Sequence, residues 1–339
     1  MPIMIPFSVL DLAPIVEGAT AADSFRNALD LARHAERLGY RRFWMAEHHS
    51  MPGVASAATA VALAYVGAGT STIRIGAGGI MLPNHSPLVI AEQFGTLESL
   101  FPGRVDLGLG RAPGTDQAAA YALRRNLQSD ANQFPRDVVE LMDYFRSDPR
   151  RRVRAIPGEG LDIPVWILGS SLFGAQLAAM LGLPYAFASH FAPQQMMEAI
   201  RVYRDGFKPS EQLAEPYVML GFNAFAADTD EEANYLATSL MQAFVNLRSG
   251  TPTPLQPPRE NYLESLPLPQ RASLEQIFSC SAIGSPRTVA ASLTDFVRRT
   301  GADELMITSQ IFDHDKRLRS FGIVAELLEK EQQPASLAS

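Results

Sequence analysis

Short apolar runs rich in β-forming residues alternate with longer segments of helical periodicity along this sequence. The first run, IPFSVLDL, is followed by a segment whose apolar positions share one helical face and which ends at Gly39. Such alternation is typical of βα units with a parallel sheet. Eight consecutive units predict an α/β fold, a closed (β/α)8 TIM barrel. The predicted strands lie within 5–12, 41–49, 73–82, 104–112, 164–171, 184–191, 217–227 and 304–311; the predicted helices lie within 23–38, 55–68, 131–147, 171–182, 193–206, 230–248 and 315–331, and one more begins after Pro87.

A doubly wound sheet of similar size is the alternative to a barrel. Its first strand is usually followed by the glycine pattern G-x-G-x-x-G, whereas the first strand here ends VLDLAP. Because TIM barrels form one domain over roughly 200 to 400 residues, we expect residues 1–339 to form a single barrel domain. A proline-rich stretch, 248–273, precedes a predicted helix at 286–299 and the last strand. Its length predicts a lid loop inserted before that last helix-strand unit.

The charge balance excludes several classes of partner. A net charge of −7 disfavours a nucleic-acid or anionic-membrane surface, because both require clustered cations. One basic run, RSDPRRRVR, falls between periodic segments and is interpreted as a solvated linker. A single cysteine, Cys280, cannot form an internal disulfide, and the first residues lack the basic start of a signal peptide. We therefore expect a cytoplasmic protein.

The stretch MAEHHSMPG places a carboxylate and two histidines where the second predicted strand ends. Catalytic groups of TIM barrels lie at these carboxyl ends, so Glu47, His48 and His49 are candidate catalytic residues. Successive strand side chains point to opposite faces, so the two histidines cannot both bind one interior metal while extended. We predict no metal site, although His190 or Asp106 are available as further ligands. Two interpretations remain: one histidine acts as a base or hydrogen-bond donor, or both only shape the barrel mouth.

A predicted strand-to-helix junction, WILGSSLFGAQLAA, has the features of an anion site. The strand ends in Gly169 and the helix begins at Ser170 or Ser171, where unpaired N–H groups and the helix dipole favour a phosphate. An ordinary serine N-cap explains the same residues. Arg111, at the end of the neighbouring strand, favours the anion site because its cation can reach the same phosphate.

Glycines interrupt the third predicted strand, IGAGGIMLPNHSP. Glycine within a strand weakens it and often marks a place where a ligand approaches the backbone, and Gly78 and Gly79 are the candidates. A bend or bulge of the barrel wall is the alternative.

Together these stretches resemble the bacterial luciferase-like flavin-dependent monooxygenases, a family of TIM barrels. No single stretch is specific, but their order and spacing along an eight-unit chain are, and the resemblance covers nearly the whole chain. The matching stretches are FWMAEHHS at 43–50, RIGAGGIMLPNHSP at 74–87, PGRVDLGLGR at 102–111, PVWILGSSLFGAQLAAMLGLP at 164–184 and IGSPRTVAASL at 283–293.

The resemblance implies a role for each residue at the second and third strands. His48 matches the active-site base near the flavin, and Glu47 and His49 lie beside it. Gly78 and Gly79 match a non-prolyl cis peptide that lies against the isoalloxazine ring.

The resemblance also implies a phosphate site. Arg111 matches a phosphate-binding arginine, and Ser170 and Ser171, after Gly169, match residues whose backbone amides hold the FMN phosphate. Gly174 stands where luciferase has a threonine that binds this phosphate through its hydroxyl. The phosphate therefore depends more on the backbone and on arginines.

Two further features of the phosphate side follow from the resemblance. Gly110 replaces a reactive cysteine of luciferase, which implies a different substrate side. Arg124 or Arg125 are available as additional phosphate ligands.

The implied activity is that of an FMN-dependent monooxygenase. A separate flavin reductase supplies reduced FMN, and O₂ is used to oxygenate a small-molecule organic substrate inside a pocket that the 248–273 loop closes. A deazaflavin that transfers hydride and a non-catalytic flavin-binding role are the alternatives. Family members often dimerise through helices near the second and third units, so we expect a homodimer.

Overall fold

The computed structural model describes residues 5–111, 122–123 and 133–332, with backbone only from 328 onward. Its strands are all joined in parallel pairs. The strands are β1 Phe7–Asp11, β2 Arg42–Met45, β3 Arg74–Met81, β4 Val105–Gly110, β5 Val165–Gly169, β6 Tyr185–Phe187, β7 Val218–Ala226, β8 Ser281–Gly284 and β9 Glu304–Thr308.

Eight of these strands close into a barrel. The sheet runs in the order β6-β5-β4-β3-β2-β1-β9-β7, and an additional pairing of β6 with β7 closes the circle. The predicted (β/α)8 TIM barrel is therefore confirmed. Inward side chains from several strands, among them Leu10, Trp44, Trp166 and Met306, pack together and fill the barrel. The interior is a packed core that is open to ligands only at its ends.

Helices surround the barrel and follow the strands in sequence. A capping box between Thr20 and Asp23 begins the first helix, and Gly182 in the left-handed conformation ends the fifth. The helices are α1 Ala21–Arg37, α2 Thr59–Ala68, α3 Pro87–Leu100, α4 Phe134–Phe145, α5 Leu172–Leu181, α6 Met196–Gly206, α7 Asp230–Arg248, α8 Tyr262–Ser265, α9 Leu268–Ile277, α10 Pro286–Thr300 and α11 His314–Gln332.

The sequence did not predict one strand and two helices. The β8 strand pairs with the second half of β7, outside the closed barrel. Its four residues lie between two helices and lack an alternating pattern long enough to be noticed. The predicted loop 248–273 contains α8 and the start of α9. The α8 helix is only four residues long, and the prolines Pro267 and Pro269 at the start of α9 were interpreted as loop residues, although proline is common at the first helical positions.

The 248–273 segment contacts the loops that follow β1 and β2. Leu255 is buried and pairs with Val16, with backbone hydrogen bonds from Glu17 N to Leu255 O (2.9 Å) and from Leu255 N to Ile15 O (2.8 Å). The carbonyl of Thr253 lies so close to the next loop that a Cβ on Gly53 would be 2.5 Å from it. The segment therefore lies against the carboxyl end of the barrel.

A buried ion network closes the amino end of the barrel. Arg42 binds the Asp106 carboxylate (2.7 Å) and the Glu304 carboxylate (3.0 Å), and Arg74 binds Asp106 (2.7 Å). Tyr217 donates to Glu304 (2.8 Å). Asp106, suggested above as a further metal ligand, is thus at the wrong end of its strand. It is buried near the start of β4, the strand that ends at Gly110.

Within the described part of the chain, no helix is both long and apolar enough to span a membrane.

Candidate functional site

Glu47 joins two loops at the carboxyl end of the barrel. Its side chain is buried, and Oε1 accepts hydrogen bonds from His49 Nε2 (2.6 Å) and His85 Nε2 (2.8 Å). Oε2 accepts a third bond from the backbone N–H of Met81 (3.0 Å). Burial raises the pKa of Glu47. The opposing effects are larger: the hydrogen bond and charge of His85, and the hydrogen bonds from His49 and Met81, lower the pKa below its ordinary value. Glu47 is therefore an anchored carboxylate.

The group Glu47, His49 and His85 also has the composition of a metal site. One ligand atom from each residue lies within 4.8 Å of the others. His85 was not among the ligands considered from the sequence, which were His48, His49, His190 and Asp106, because it comes from a different loop, after β3. The signal was present in the quoted stretch LPNHSP. Direct N–O contacts of 2.6 and 2.8 Å are hydrogen-bond distances, so we interpret the group as a hydrogen-bonded triad. That it binds no metal stays a prediction.

His48 takes no part in this triad. Its Nδ1 atom is buried and has no hydrogen-bond partner among the described residues. Burial lowers the pKa of His48, the nearby Glu47 carboxylate raises it and His49 lowers it, with a net decrease. The imidazole is therefore neutral near pH 7, which is the state that a proton acceptor requires. Its role as a base stays a prediction.

His190 supplies a second imidazole at the mouth. It follows β6, and burial together with the proximity of His48 lowers its pKa to about 4. The Nδ1 atom is buried without a partner in the described residues, and a Cβ on Gly221 would be 2.2 Å from it. Asn223 fixes the His190 backbone by donating to its carbonyl (2.6 Å). The sequence indicated His190 only as a spare metal ligand.

Unpartnered buried atoms concentrate at this end of the barrel. Besides the two histidines, Asp11 Oδ2 at the end of β1 and Thr308 Oγ1 at the end of β9 lack partners in the described residues, and the remaining such atom is Ser239 Oγ on α7. The other oxygen of Asp11 binds Arg317 (2.7 Å). Buried polar atoms are rarely left unpaired without a reason such as a ligand or ordered water.

Gly78 and Gly79 form the wall between the second and fourth strands. The peptide bond between them is cis, as the resemblance implied, and the β3–β4 register shifts between Ala77 and Ile80. A Cβ on Gly79 would be 2.7 Å from the Gly108 carbonyl, so a side chain cannot fit. The irregular strand predicted as an alternative is therefore present. That the flavin ring lies against this wall stays a prediction.

The junction of β5 and α5 presents uncapped N–H groups. Ser171 is the N-cap residue, in extended conformation, and its side chain makes no capping bond. The side-chain hydrogen bond that an ordinary serine N-cap would make is therefore missing at Ser171. The first turn contains no acidic residue, and Gly174 packs near Gly169, where a Cβ would be 3.6 Å from its Cα. Ser170 lies between strand end and cap. This turn retains the features of an anion site.

Arg111 lies beside this junction. It directly follows β4, whose residue Gly110 pairs with Leu168 of β5, and its guanidinium carbon is 4.3 Å from the ring centroid of Phe173 in the first turn of α5. Arg124 and Arg125 lie outside the described residues. The sequence missed Phe173, which has the periodicity of an ordinary core residue.

The candidate residues follow one another around the rim. His48 comes from β2, the glycine wall from β3, Arg111 from β4 and Ser171 from the end of β5. Neighbouring strands are about 4.8 Å apart, so this row spans roughly 14 Å. It has a neutral imidazole at one end and an anion site at the other, which suits an elongated ligand with a phosphate at one end.

Known proteins give an independent comparison. The family model described as luciferase-like monooxygenase matches residues 5–304. A protein of Escherichia coli K12 named luciferase-like monooxygenase is 53% identical, with 96% of this chain and 98% of that protein covered. N-acetyl-S-alkylcysteine monooxygenase of Bacillus subtilis is 33% identical, with 95% and 98% covered. The crystal structure of apo-MsnO8 has a TM-score of 0.90 at 36% identity, covering 96% and 98%.

More distant structures share the fold alone. The oxygenating constituent of 3,6-diketocamphane monooxygenase from Pseudomonas putida, in complex with FMN, has a TM-score of 0.72 at 16% identity and covers 98% of this chain and 100% of its own. An F420-dependent secondary alcohol dehydrogenase has a TM-score of 0.70 at 13% identity, covering 96% and 99%. The family match over most of the chain and the high identities to full-length relatives confirm the resemblance. The chain belongs to the luciferase-like monooxygenase family.

Proposed function

We propose that this protein is an FMN-dependent monooxygenase that oxygenates a small organic substrate with O₂. The observation that carries the proposal is the row at the carboxyl end of the barrel, which runs from His48, whose Nδ1 atom has no partner among the described residues, to Arg111 beside the first turn of α5. Membership of the family supports a flavin-type oxidoreductase. The choice of FMN is our proposal.

The residues present fit the cofactor. Arg111 and the backbone N–H groups at Ser170, Ser171 and Gly174 would hold the phosphate, since a helix N-terminus and a guanidinium both favour an anion. Gly78 and Gly79 carry no side chains, so this wall leaves room for a ring. When bound and reduced, FMN supplies the electrons with which O₂ is activated.

His48 acts as the base in this proposal. The imidazole is neutral and belongs to the loop after β2, the strand that pairs with the glycine-bearing β3, so it can take a proton from a reacting group at neutral pH. Glu47 does not reach the substrate; its bonds to His49, His85 and Met81 hold the two loops that carry His48 and the wall. Glu47 and His49 therefore act as positioning residues.

The 248–273 segment excludes water. Its Leu255 is bonded to the loop after β1 and its Thr253 contacts the loop after β2, so it covers one side of the mouth. A dry pocket prevents side reactions with water and strengthens the electrostatic contacts of the site.

The proposed partners are a separate flavin reductase, O₂ and a second copy of the chain. The outer faces of α2 and α3 expose Val61 (73%), Tyr65 (45%), Val89 (43%) and Leu100 (60%), an apolar area suited to a homodimer. Light scattering is expected to give twice the mass of one chain, and a monomer for Val61→Glu; a monomeric wild type would contradict this. We place the protein and its reductase in the cytoplasm.

Isotope labelling tests the proposed reaction. The protein, FMN, NADH and a flavin reductase are incubated under ¹⁸O₂ with thioethers, alkanals and ketones, and products are examined by mass spectrometry. One ¹⁸O atom per product molecule is expected. A protein that leaves every product unlabelled, but reduces or oxidises substrate with a deazaflavin, would be the hydride-transferring alternative that the F420-dependent fold relative suggests. Activity lost to a chelator without FMN binding would instead indicate metal chemistry.

A further inference from the structure

We infer that Phe173 is a positioning residue that determines how tightly the protein binds a phosphate at the start of α5. Its ring stacks on the Arg111 guanidinium, with 4.3 Å between the guanidinium carbon and the ring centroid. This inference rests on the proposed function, since it assumes that FMN enters phosphate first into this corner. It adds a residue that contacts the arginine instead of the ligand.

Arg111 needs such support because little else among the described residues fixes it. The residue is exposed, and it makes no ion pair within the described part of the chain. The buried arginines Arg42 and Arg317, in contrast, are each fixed by carboxylates. A carboxylate beside Arg111 would compete with a phosphate for its charge. An aromatic ring orients the guanidinium and leaves its N–H donors available.

Phe173 is itself well placed for this task. It is partly buried and packs against the main hydrophobic core, so its ring position is fixed by the fold. It occupies the second position of α5, where its own backbone N–H has no partner within the helix. Tyr185 donates to the Ser171 carbonyl (3.2 Å) and steadies the same junction. The ring therefore holds the arginine at the first turn of α5.

The packing predicts different consequences for different ligands. FMN carries the phosphate and riboflavin lacks it. Only the affinity for FMN should therefore depend on the orientation of Arg111. A cation–π contact at an exposed site is worth a factor of about two to five in affinity. Lysine keeps a charge that an aromatic ring attracts, so removal of the contact from the arginine side requires an uncharged residue such as alanine.

The test measures FMN and riboflavin binding to the full-length protein by fluorescence quenching. Phe173→Leu, which keeps the apolar packing, is expected to weaken FMN binding about two- to five-fold and to leave riboflavin binding unchanged. Phe173→Tyr should retain wild-type affinity for both. Arg111→Ala should weaken FMN binding, and the double variant Arg111→Ala, Phe173→Leu should be no weaker than Arg111→Ala alone.

Two outcomes overturn the inference without touching the proposed function. Equal weakening of FMN and riboflavin by Phe173→Leu would show that the ring only packs, and additive effects in the double variant would show that it does not act through Arg111. If the wild type binds FMN no more tightly than riboflavin, the phosphate site is absent, and the inference and the proposed cofactor both fall.

Discussion

The two ends of the barrel differ in how completely their buried polar groups are paired. At the amino end, the carboxylates of Asp106 and Glu304 are paired with arginines and further donors. At the carboxyl end, His48, His190 and others keep a buried polar atom without a partner in the described residues. A satisfied network stabilises the fold by itself, whereas unsatisfied groups cost free energy unless a ligand or water meets them. The difference supports the proposal that the carboxyl end holds the functional site.

Replacing His48 should give the largest effect on activity. Loss of a general base lowers turnover by about 10²- to 10⁴-fold, while FMN binding should persist because the phosphate corner is separate. Turnover and FMN affinity of His48→Ala are the measurements, and His314→Ala, a change at the start of α11, is the control. Unchanged turnover in His48→Ala would refute the assigned role.

Replacing Arg42 should instead lower the free energy of unfolding of the protein. Arg42→Ala leaves two buried carboxylates with less compensation, and breaking a buried pair lowers the free energy of unfolding by about 3–5 kcal/mol. Turnover per folded molecule should stay the same. The exposed pair of Arg298 and Asp295 is the control, since Arg298→Ala should change the free energy of unfolding by under about 1 kcal/mol. A stable Arg42→Ala protein without activity would place the site at the amino end.

Acid should destabilise the protein because His190 is buried as a neutral imidazole. The pKa of His190 is lowered to about 4, so the folded state binds fewer protons than the unfolded state between pH 6.5 and about 4. Stability is fully present above pH 6.5 and is lost as the pH falls through this window, by up to about 3 kcal/mol. Denaturation at several pH values should show this slope, and His190→Gln should flatten it. An equal slope in the variant would mean that other groups cause the loss.

Metal removal should have the smallest effect, namely none. Because Glu47, His49 and His85 are joined by direct hydrogen bonds, dialysis against a chelator should leave turnover and Tm unchanged. A loss of turnover and a lower Tm that Zn²⁺ restores would show that the triad is a metal site.

The sequence was sufficient for the barrel because strands buried on both faces read as apolar runs between amphipathic helices. It also indicated which strand ends carry polar residues. It did not reveal how far along the barrel axis a side chain lies. Asp106 was therefore considered as a ligand at the carboxyl end, although it lies at the amino end. Nor did it join Glu47 to His85, because a side-chain pair between two loops leaves no periodic pattern. Phe173 was hidden for the same reason.

A crystal structure of the protein with FMN tests the central claim most directly. The account predicts the phosphate at the first turn of α5 within hydrogen-bond distance of Arg111, and the ring beside Gly79 at the carboxyl end, next to His48. FMN bound among Arg42, Arg74 and Tyr217 at the amino end, or a carboxyl end that stays free of flavin at saturating FMN, would contradict it.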